Sequence, residues 1–558
     1  MMDGYEGMEG DFEEHVRSRI ASMMVPVSAP IAGVVCDHHL ASQIGLDILK
    51  AGGNAIEAAV ATFSALSVLQ PWSCGLGGDI FCMFYESSSR QVHGINGSGR
   101  CPMSLTLEKL KDEGYNEENP LPQSHPFSVT VSLQALVEPS VKLARTGFKL
   151  THYSSEQFRR EMTKLIGTKH GFQLLLPANM KDGLVKNPGL AQTLEIFGTE
   201  GKHGFYEGEV EESIVGELAL ENQGEEVMTE EDLLCHITTW DHPIRCDYRK
   251  QIRVWEMPPN THGLIVLLTL NILENYDIKQ LCWSSPIYLH CLIEALRLSF
   301  ADAFKYVCDP KFHAIPMETL LSKAYALQRW NLIHHGRAME EVGTGAETET
   351  VVKLGADTTY VTAVDGEGNA CSFIASNCSG VGSGIVPDGR GFSLQNRGLA
   401  FNLKEGHVNK LHPGKRPYHT IIPGMVTDLK TGDVIASFGI MGGPMQPQGH
   451  VQVLLNMVDF GMNPQRALNQ PRLFVDVSCT GTKKPPVYLE EGFPSGTAET
   501  LRAMGHNIQG PVTGFQRRIF GRGHVAAKRA LWNHRHESVD SDWYLGSDPR
   551  SDGIPKAF

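Results

Sequence analysis

A loose polar segment runs directly into an alternating one, and this junction constrains the fold of the 558-residue chain more than any other feature. Residues 336–357 are rich in Gly, Glu and Thr and poor in large apolar side chains, which is typical of an exposed connector. From Thr358 the pattern changes: 358–365 alternates as a strand, 366–369 supplies a turn, and 370–376 returns. The sequence therefore predicts a β-hairpin led by a threonine, next to a segment that self-cleavage could release.

Thr358 gains a particular chemistry if the peptide bond before it breaks. A threonine hydroxyl is a weak nucleophile, but the freed α-amine of the same residue has a pKa of roughly 7.7–8.0 and can accept the hydroxyl proton. Before cleavage, the same hydroxyl can attack the carbonyl of Asp357 and turn the amide into an ester that water opens. Two threonines at a strand start are also ordinary β-propensity, so the threonine alone leaves a structural role open.

Two further elements have a catalytic and a structural interpretation. Gly442-Gly443 lets backbone N–H groups point into a site without a Cβ in the way, and such donors can hold an oxyanion; the alternative is a tight turn. Arg100 stands in a glycine-rich stretch, where a guanidinium suits a bidentate grip on a substrate carboxylate; the alternative is a surface arginine. Gly75–Gly78 is disfavoured as a phosphate loop because no GK[ST] follows.

The rest of the chain alternates between helical and strand patterns. Asn54 is placed to cap a helix over 55–69, which is apolar nearly all round and should be buried on more than one side. The apolar run 263–273 is too short to span a bilayer and suits a buried strand or helix. Since strands dominate after Thr358, we expect sheets covered by helices on both sides. Helices are further predicted over 40–49 and 286–304, and strands over 34–35 and 80–85.

The composition excludes several classes of partner. The chain has 49 Lys and Arg against 63 Asp and Glu, a formal charge of −14, so no basic excess exists to neutralise nucleic-acid phosphates. The acidic residues 1–29 lack the order of a secretory signal and are expected to be a disordered tail. The 12 cysteines are scattered singly, which is typical of reduced thiols in an intracellular protein. We expect a cytoplasmic protein without nucleic-acid or membrane partners.

Neither a metal nor a cofactor is expected. The histidine pairs His38-His39 and His334-His335 are adjacent in sequence, which directs their side chains apart rather than onto one ion. Amide hydrolysis through an ester needs no cofactor.

The segment from Thr358 to Val386 resembles the opening of the small subunit in γ-glutamyltranspeptidases. A threonine stands at the cleavage point, followed by a short strand and by D-x-x-G-N-A and G-x-G-I-V elements, here 365–370 and 382–386. Further matches follow in the family's order or lie upstream; they are 415–417 (KRP), 442–443 (GG), 546–550 (GSDPR), 52–55 (GGNA) and Arg100. The resemblance spans nearly the whole chain after Pro30.

This resemblance implies a four-layer αββα sandwich of the N-terminal nucleophile hydrolase type, an α+β fold. It implies self-cleavage between Asp357 and Thr358 into a large-subunit region (30–335, followed by the 336–357 linker) and a small-subunit region (358–558), intertwined in one catalytic unit. The family's roles fall on Thr358 as nucleophile and on Gly442 and Gly443 as the oxyanion site. They also fall on Arg100 for the substrate α-carboxylate, and on Ser376 in place of a second threonine. Thr359 is the competitor if the register slips, but it should point to the opposite face.

The match breaks in the acyl pocket. The family's acidic residue for the substrate α-ammonium falls on Ala400, and its Ser-Ser pair falls on His419-Thr420, which are candidate substrate contacts. Its asparagine corresponds to Cys378, or to Asn377 with a shift of one. An uncompensated buried charge costs about 3–5 kcal/mol, so either another acid substitutes or the acyl group carries no amine.

Three functions follow as hypotheses. The first is a self-processing γ-glutamyl hydrolase or transferase acting on glutathione-like amides. The second is an acylase for glutaryl-type dicarboxylic amides, similar to the cephalosporin acylase branch. The third is an unprocessed, inactive relative that serves as a binding protein. In the first two, the partners are a small amide substrate and the chain's own cleaved subunit.

Overall fold

Two seven-stranded antiparallel sheets form the centre of the protein. The computed structural model describes residues 25–112, 137–174, 180–181, 184–342, 357–478, 484–533 and 542–558. The first sheet has the order Val27–Ala29, Trp543–Ser547, Arg522–Lys528, Val434–Met441, Gly424–Asp428, Ile252–Glu256 and Ile244–Tyr248. The second has the order Lys556–Ala557, Gly33–Cys36, Thr359–Val364, Ala370–Ser376, Asp79–Glu86, Gln91–Asn96 and Thr239–Asp241.

The predicted hairpin lies in the middle of the second sheet. Thr359–Val364 pairs antiparallel with Ala370–Ser376, and Val364 opposite Ala370 is the last pair before the turn. Asp365 holds the turn, because its Oδ1 accepts the N–H groups of Glu367 and Asn369 at 3.0 Å each. Strands of the N-terminal half flank both sides of the hairpin, so the two predicted subunits share one sheet.

The sheets pack face to face, and helices cover their outer faces. Side chains of both sheets meet between them; they include Val35, Phe81, Tyr360, Ile374, Met425, Met441, Trp543 and Leu545. Outside the first sheet lie helices Leu264–Leu273, Pro286–Tyr306 and Met445–Val458. Outside the second lie His39–Lys50, Ala55–Leu69, Glu138–Thr146 and Pro188–Glu200. The predicted αββα sandwich is therefore confirmed, since each sheet buries one face on its partner and the other on helices.

The sequence patterns locate the main helices correctly. Asn54 caps Ala55–Leu69 through a capping box with Glu57, as its position predicts. The apolar run after Gly263 is a helix, Leu264–Leu273, and all ten of its residues are buried. The other described helices, including the 3₁₀ turns, are Leu107–Asp112, His152–Ile166, Gly171–Leu174, Lys202–Tyr206, Glu209–Glu221, Glu230–Leu234, Ile278–Gln280, Met317–Leu320, Lys323–Trp330, Arg397–Ala400, Pro464–Asn469, Thr497–Ala503, Gly514–Phe520 and Arg529–Leu531.

Two small sheets complete the described structure. Leu473–Val475, Pro486–Glu490 and Asn507–Val512 form one, and Met180–Lys181 with Leu184–Val185 forms the other.

Two predicted boundaries need correction. Regular structure begins before Pro30, since Val27–Ala29 pairs with the strand Trp543–Ser547; residues 1–24 of the predicted tail lie outside the described part. The predicted exposed linker is packed at its start, where the Ala338 N–H donates to the carbonyl of Met504 at 2.7 Å and Ala338 is buried. Its residues 343–356 again lie outside the described residues.

No helix in the described ranges is long and apolar enough to cross a membrane. Among the same residues, no group of three or more His, Cys, Asp or Glu side chains is arranged to hold a metal ion.

Candidate active site

Thr358 lies immediately ahead of the central strand and is almost completely buried. Its Oγ1 is 3.3 Å from the hydroxyl of Ser376, which ends the paired strand. The Ser376 hydroxyl in turn donates to the carbonyl oxygen of Asp357 at 2.9 Å. The structure therefore brings together the predicted nucleophile, its predicted neighbour and the carbonyl of the predicted cleavage site.

The surroundings of Ser376 direct its proton toward that carbonyl. The backbone N–H of Cys378 donates to Ser376 Oγ at 2.8 Å, and the Arg397 guanidinium donates to it at 3.3 Å. A hydroxyl oxygen has two acceptor positions and one proton. Thr358 Oγ1 also donates to Ser376 Oγ, at 3.3 Å. Since the oxygen accepts from all of these groups, the Ser376 proton is left to polarise the carbonyl of Asp357.

Thr359 faces away from this group. Side chains alternate along a strand, and Tyr360 and Thr362 on either side of Val361 point between the sheets toward Ser437. Thr359 therefore shares the outer face with Val361, and its Oγ1 has no hydrogen-bond partner within the described ranges. The preference for Thr358 over its neighbour agrees with this geometry.

The glycine pair adopts a conformation that a side chain would strain. Gly442 has a φ of 126° and Gly443 one of 56°, and a Cβ on Gly442 would lie 3.1 Å from the Cα of Gly521. Neither glycine N–H has an acceptor among the described residues. The helix Met445–Val458 begins directly after the pair, and its Gln446 places Nε2 3.5 Å from Thr358 Oγ1. The glycine pair thus lies in the segment that brings Gln446 to the nucleophile.

A buried ion pair fixes the backbone of Thr358. The Arg522 guanidinium donates to the Thr358 carbonyl at 3.0 Å and to Asp37 at 2.9 Å. Burial alone would raise the pKa of Asp37, but Arg522 and the hydrogen bond to His524 hold it below its ordinary value. Asp37 is therefore an anion at neutral pH and keeps Arg522 in place.

A second buried cluster stands behind Ser376. Arg397 donates to Thr420 Oγ1 at 2.9 Å, and its Nε lies 3.6 Å from a carboxylate oxygen of Asp79. That oxygen also accepts from His419 Nε2 at 3.0 Å. Burial, followed by the nearby Arg397 cation, lowers the pKa of His419 to about 4. His419 is thus neutral, and it contacts Asp79 instead of an open surface.

Arg100 is the accessible cation near this cluster. Its neighbour Gly99 donates its N–H to Asp79 at 3.1 Å. The Arg100 side chain is 23% exposed, and its Nη1 lies 3.5 Å from Asp309 and 3.1 Å from the carbonyl of Gly414. The structure does not bring Arg100 into direct contact with Thr358, but part of the Arg100 side chain stays exposed.

The structure shows what surrounds the positions that depart from the family pattern. Ala400 is half-buried at the end of the 3₁₀ turn Arg397–Ala400. Two buried carboxylates already face an arginine: Asp79 faces Arg397, and Asp309 faces Arg100. Asn377 is buried and bonds to the carbonyl of Pro71, without contact to Thr358.

Sequence reasoning missed four buried residues of the site: Asp37, Asp79, Arg397 and Arg522. The sequence could have indicated Arg397, because it lies three residues before Ala400 in the segment that departs from the family pattern. The pairing of Asp37 with Arg522 crosses 485 residues of sequence. No spacing rule reveals a contact of that separation.

The GSDPR element, residues 546–550, contacts the segment around Arg522 through a buried ion network. Asp548 accepts from Arg472 and from Arg550 at 2.5 and 3.0 Å, and from the N–H of Gly523 at 3.0 Å. Arg472 also donates to the carbonyl of Gly521 at 3.2 Å, next to Arg522. Burial would raise the pKa of Asp548, but the two arginines lower it to about 2.

Asp548→Asn is therefore expected to lower the free energy of unfolding by about 3–5 kcal/mol, because it leaves the buried Arg472 without its ion-pair partner, whereas Arg550 keeps Glu490. Urea denaturation at pH 7 in a Thr358→Ala background measures this on an uncut chain. Since its pKa is depressed, Asp548 stabilises the fold fully above its ordinary pKa of 3.8, and this contribution is lost as the pH falls toward 2. Asp247→Asn, in the partly exposed pair with Arg253, is the control and should cost about 0–1 kcal/mol. Equal losses in the two variants would contradict the expectation.

The fold and the site together define an α+β sandwich of the N-terminal nucleophile hydrolase type, with a threonine at the head of a central strand. A sequence model described as Gamma-glutamyltranspeptidase matches residues 41–558. The chain belongs to the γ-glutamyltranspeptidase family.

Individual relatives agree with this assignment over nearly their full length. The chain is 35% identical to the glutathione hydrolase-like YwrD proenzyme of Bacillus subtilis, covering 93% of this chain and 97% of that protein. It is 30% identical to the glutathione hydrolase proenzyme of Escherichia coli, covering 94% and 91%. The crystal structure of cephalosporin acylase from Bacillus halodurans superposes with a TM-score of 0.82 at 36% identity, covering 96% and 97%. The protein is thus an amide hydrolase or transferase of this family.

Proposed function

We propose that the protein processes itself at the Asp357–Thr358 bond and then hydrolyses amides through an acyl-enzyme on Thr358. The observation that carries the proposal is the contact of one hydroxyl pair with the cleavage site: Thr358 Oγ1 lies 3.3 Å from Ser376 Oγ, which donates to the Asp357 carbonyl at 2.9 Å. In self-cleavage, Thr358 Oγ attacks that carbonyl, Ser376 stabilises the oxyanion, and the amide becomes an ester that water opens.

Turnover uses the same hydroxyl with a different base. The α-amine of Thr358, freed by cleavage, takes the hydroxyl proton as Oγ attacks the substrate carbonyl, and it delivers that proton to the leaving nitrogen. Gly442 and Gly443 hold the oxyanion. Water then attacks the acyl-enzyme, releases the acid and returns the proton to Oγ. An unprocessed binding protein would have no use for two glycine N–H groups that lack an acceptor among the described residues.

The charged side chains around Arg100 indicate which acyl group the enzyme prefers. Arg100 is partly open and suits a terminal carboxylate of the acyl chain. An α-ammonium would need a free acid, yet Asp79 faces Arg397 and Asp309 faces Arg100 itself. The family's acidic position is Ala400. We therefore infer a preference for dicarboxylic, glutaryl-type acyl groups over γ-glutamyl groups. The similarity to a cephalosporin acylase supports this inference, while the glutathione hydrolase relatives keep γ-glutamyl amides as the second candidate.

Matched 4-nitroanilides test the preference. The value of kcat/KM is expected to be at least about tenfold higher for the glutaryl than for the γ-glutamyl compound, a difference of about 1.4 kcal/mol. Ala400→Asp supplies the missing acid and should shift the ratio toward the γ-glutamyl compound. A wild-type enzyme that prefers the γ-glutamyl compound tenfold would reject the dicarboxylic assignment.

The cytoplasmic location stays a prediction.

A further inference from the structure

Gln446, the second residue of helix Met445–Val458, places a buried amide beside the nucleophile. The Ile422 N–H donates to Gln446 Oε1 at 3.0 Å. This bond fixes the orientation of the amide, because only its oxygen can accept a hydrogen bond. The amide nitrogen therefore faces the other way, where Gln446 Nε2 lies 3.5 Å from Thr358 Oγ1.

The Gln446 amide is the donor to Thr358 Oγ1 in the uncut chain. Oγ1 gives its own proton to Ser376 Oγ at 3.3 Å, and the Ser376 proton goes to the carbonyl of Asp357 at 2.9 Å. Among the residues that the structure describes, Oγ1 is the one acceptor of Gln446 Nε2. Gln446 is thus aimed at the reacting oxygen itself and not at the carbonyl oxygen.

The start of the helix holds this amide in place. The Gln446 N–H donates to the carbonyl of Gly443 at 3.0 Å, and the Met445 N–H donates to that of Gly442 at the same distance. A donor fixed in this way can stabilise a developing charge without a rearrangement. Catalytic hydrogen bonds are often long before substrate binds and shorten in the transition state, so a separation of 3.5 Å suits such a donor.

Charge develops on Thr358 Oγ1 when the acyl-enzyme is opened. Water attacks the carbonyl carbon of the ester and gives a proton to the α-amine of Thr358. The bond between that carbon and Oγ1 then breaks, its electron pair stays on Oγ1, and the ammonium returns the proton to Oγ1 as the acid leaves. Hydrogen bonds to a charged oxygen are stronger than those to a neutral one. A donor at Oγ1 therefore stabilises this transition state more than the ester.

We propose that Gln446 is a catalytic residue for deacylation, because its Nε2–H group stabilises Thr358 Oγ1 as this oxygen leaves the acyl group. Acylation gains less, since the donor contacts Oγ1 before the attack as well as during it and stabilises both states. The ester formed in self-cleavage also releases Oγ1 when water opens it, so the same donor serves that step. The inference rests on the proposed function, because it requires an ester on Thr358.

Two substitutions remove the donor in different ways. Gln446→Glu keeps the shape and the acceptor for the Ile422 N–H, whereas Gln446→Met removes both ends of the amide. Each processed variant should deacylate about ten- to hundredfold more slowly, the range for loss of a hydrogen bond to a charged group. Intact mass measures this rate as the decay of acylated 358–558 after the glutaryl 4-nitroanilide is removed. The value of kcat/KM, which reports acylation, should stay within about threefold.

Gln452→Met is the matched control. Gln452 is a buried glutamine on the same helix, and its amide nitrogen donates to the carbonyls of Gln448 and Leu473 at 3.0 Å each. This substitution should leave acylation and deacylation unchanged in the processed enzyme. A Gln446 variant that stays uncut is treated with hydroxylamine, which opens esters. Release of 1–357 as a hydroxamate supports the proposal, and resistance in both variants contradicts it.

The two rates separate a catalytic role from a structural one. If both Gln446 variants lost as much in kcat/KM as in deacylation, Gln446 would have a structural role and the proposal would be wrong. Deacylation at the wild-type rate in either variant would also overturn it. In both cases an acylated fragment 358–558 would leave the proposed function standing. A wild-type protein that stays uncut, or never carries an acyl group, would overturn the proposed function and this inference together.

Discussion

Thr358→Ala is expected to give one uncut chain without amidase activity. The substitution removes the hydroxyl that attacks the Asp357 carbonyl, so the fragments 1–357 and 358–558 should not form. It also removes the nucleophile and, by preventing cleavage, the α-amine that acts as its base. We expect a loss in kcat of the order of 10⁶, the size seen when a nucleophile is removed from a hydrolase. Intact-mass analysis before and after incubation measures the first effect, and anilide hydrolysis measures the second.

Two neighbouring variants make this result specific. Thr358→Ser keeps a hydroxyl on the same residue and should retain both cleavage and turnover at reduced rates. Thr359→Ala changes the side chain on the outer face and should leave both reactions intact, provided that the chain folds. A wild-type enzyme that hydrolyses amides while its Asp357–Thr358 bond is whole would contradict the mechanism.

Gly442→Ala should separate turnover from self-cleavage. A side chain at this residue is strained at a φ of 126°, and its Cβ would lie 3.1 Å from the Cα of Gly521. The N–H donors would shift, and loss of one oxyanion donor lowers kcat by about 10²–10³. Self-cleavage should continue, because the Asp357 carbonyl takes its hydrogen bond from Ser376 at 2.9 Å. Steady-state kinetics on the processed variant and gel densitometry of its precursor check the two halves of this prediction.

Ser376→Ala is the counterpart, and its main effect should be a slower appearance of the two fragments. If Gly442→Ala blocked cleavage and left the kcat of any processed enzyme unchanged, the assignment of one oxyanion donor to each reaction would be wrong. Self-cleavage and turnover should be measured for both variants, because a general folding defect would lower all of these rates together.

Local patterns in the sequence predicted much of the scaffold. The strand–turn–strand pattern from Thr358 gave the central hairpin, because alternation and a turn rich in Gly, Asp and Asn are local signals. Asn54 predicted a helix start, and the structure confirms it with a capping box that Glu57 completes. The short apolar run after Gly263 left strand and helix open, since a segment buried on all sides has no periodicity to distinguish them. The structure shows a helix there.

Packing between distant segments decided the site. The start of the predicted linker is buried at Ala338 because it contacts Met504, which no local property of the linker reveals. His419 was a candidate substrate contact by its position in the family pattern, but the structure shows both of its ring nitrogens engaged, with Asp79 and with the N–H of Ile421.

The sequence by itself determined the hairpin that Thr358 leads, and it predicted where the chain can cut and which residue would then act, because a threonine leading a strand after a polar loop is a local arrangement. Only the tertiary structure decided which charges surround that threonine. Arg522 and Asp37 are 485 positions apart, and Arg397 meets Asp79 across the boundary between the predicted subunits. Such pairs form where folding removes water and makes an unpaired charge costly, a condition that exists only once the two sheets have packed.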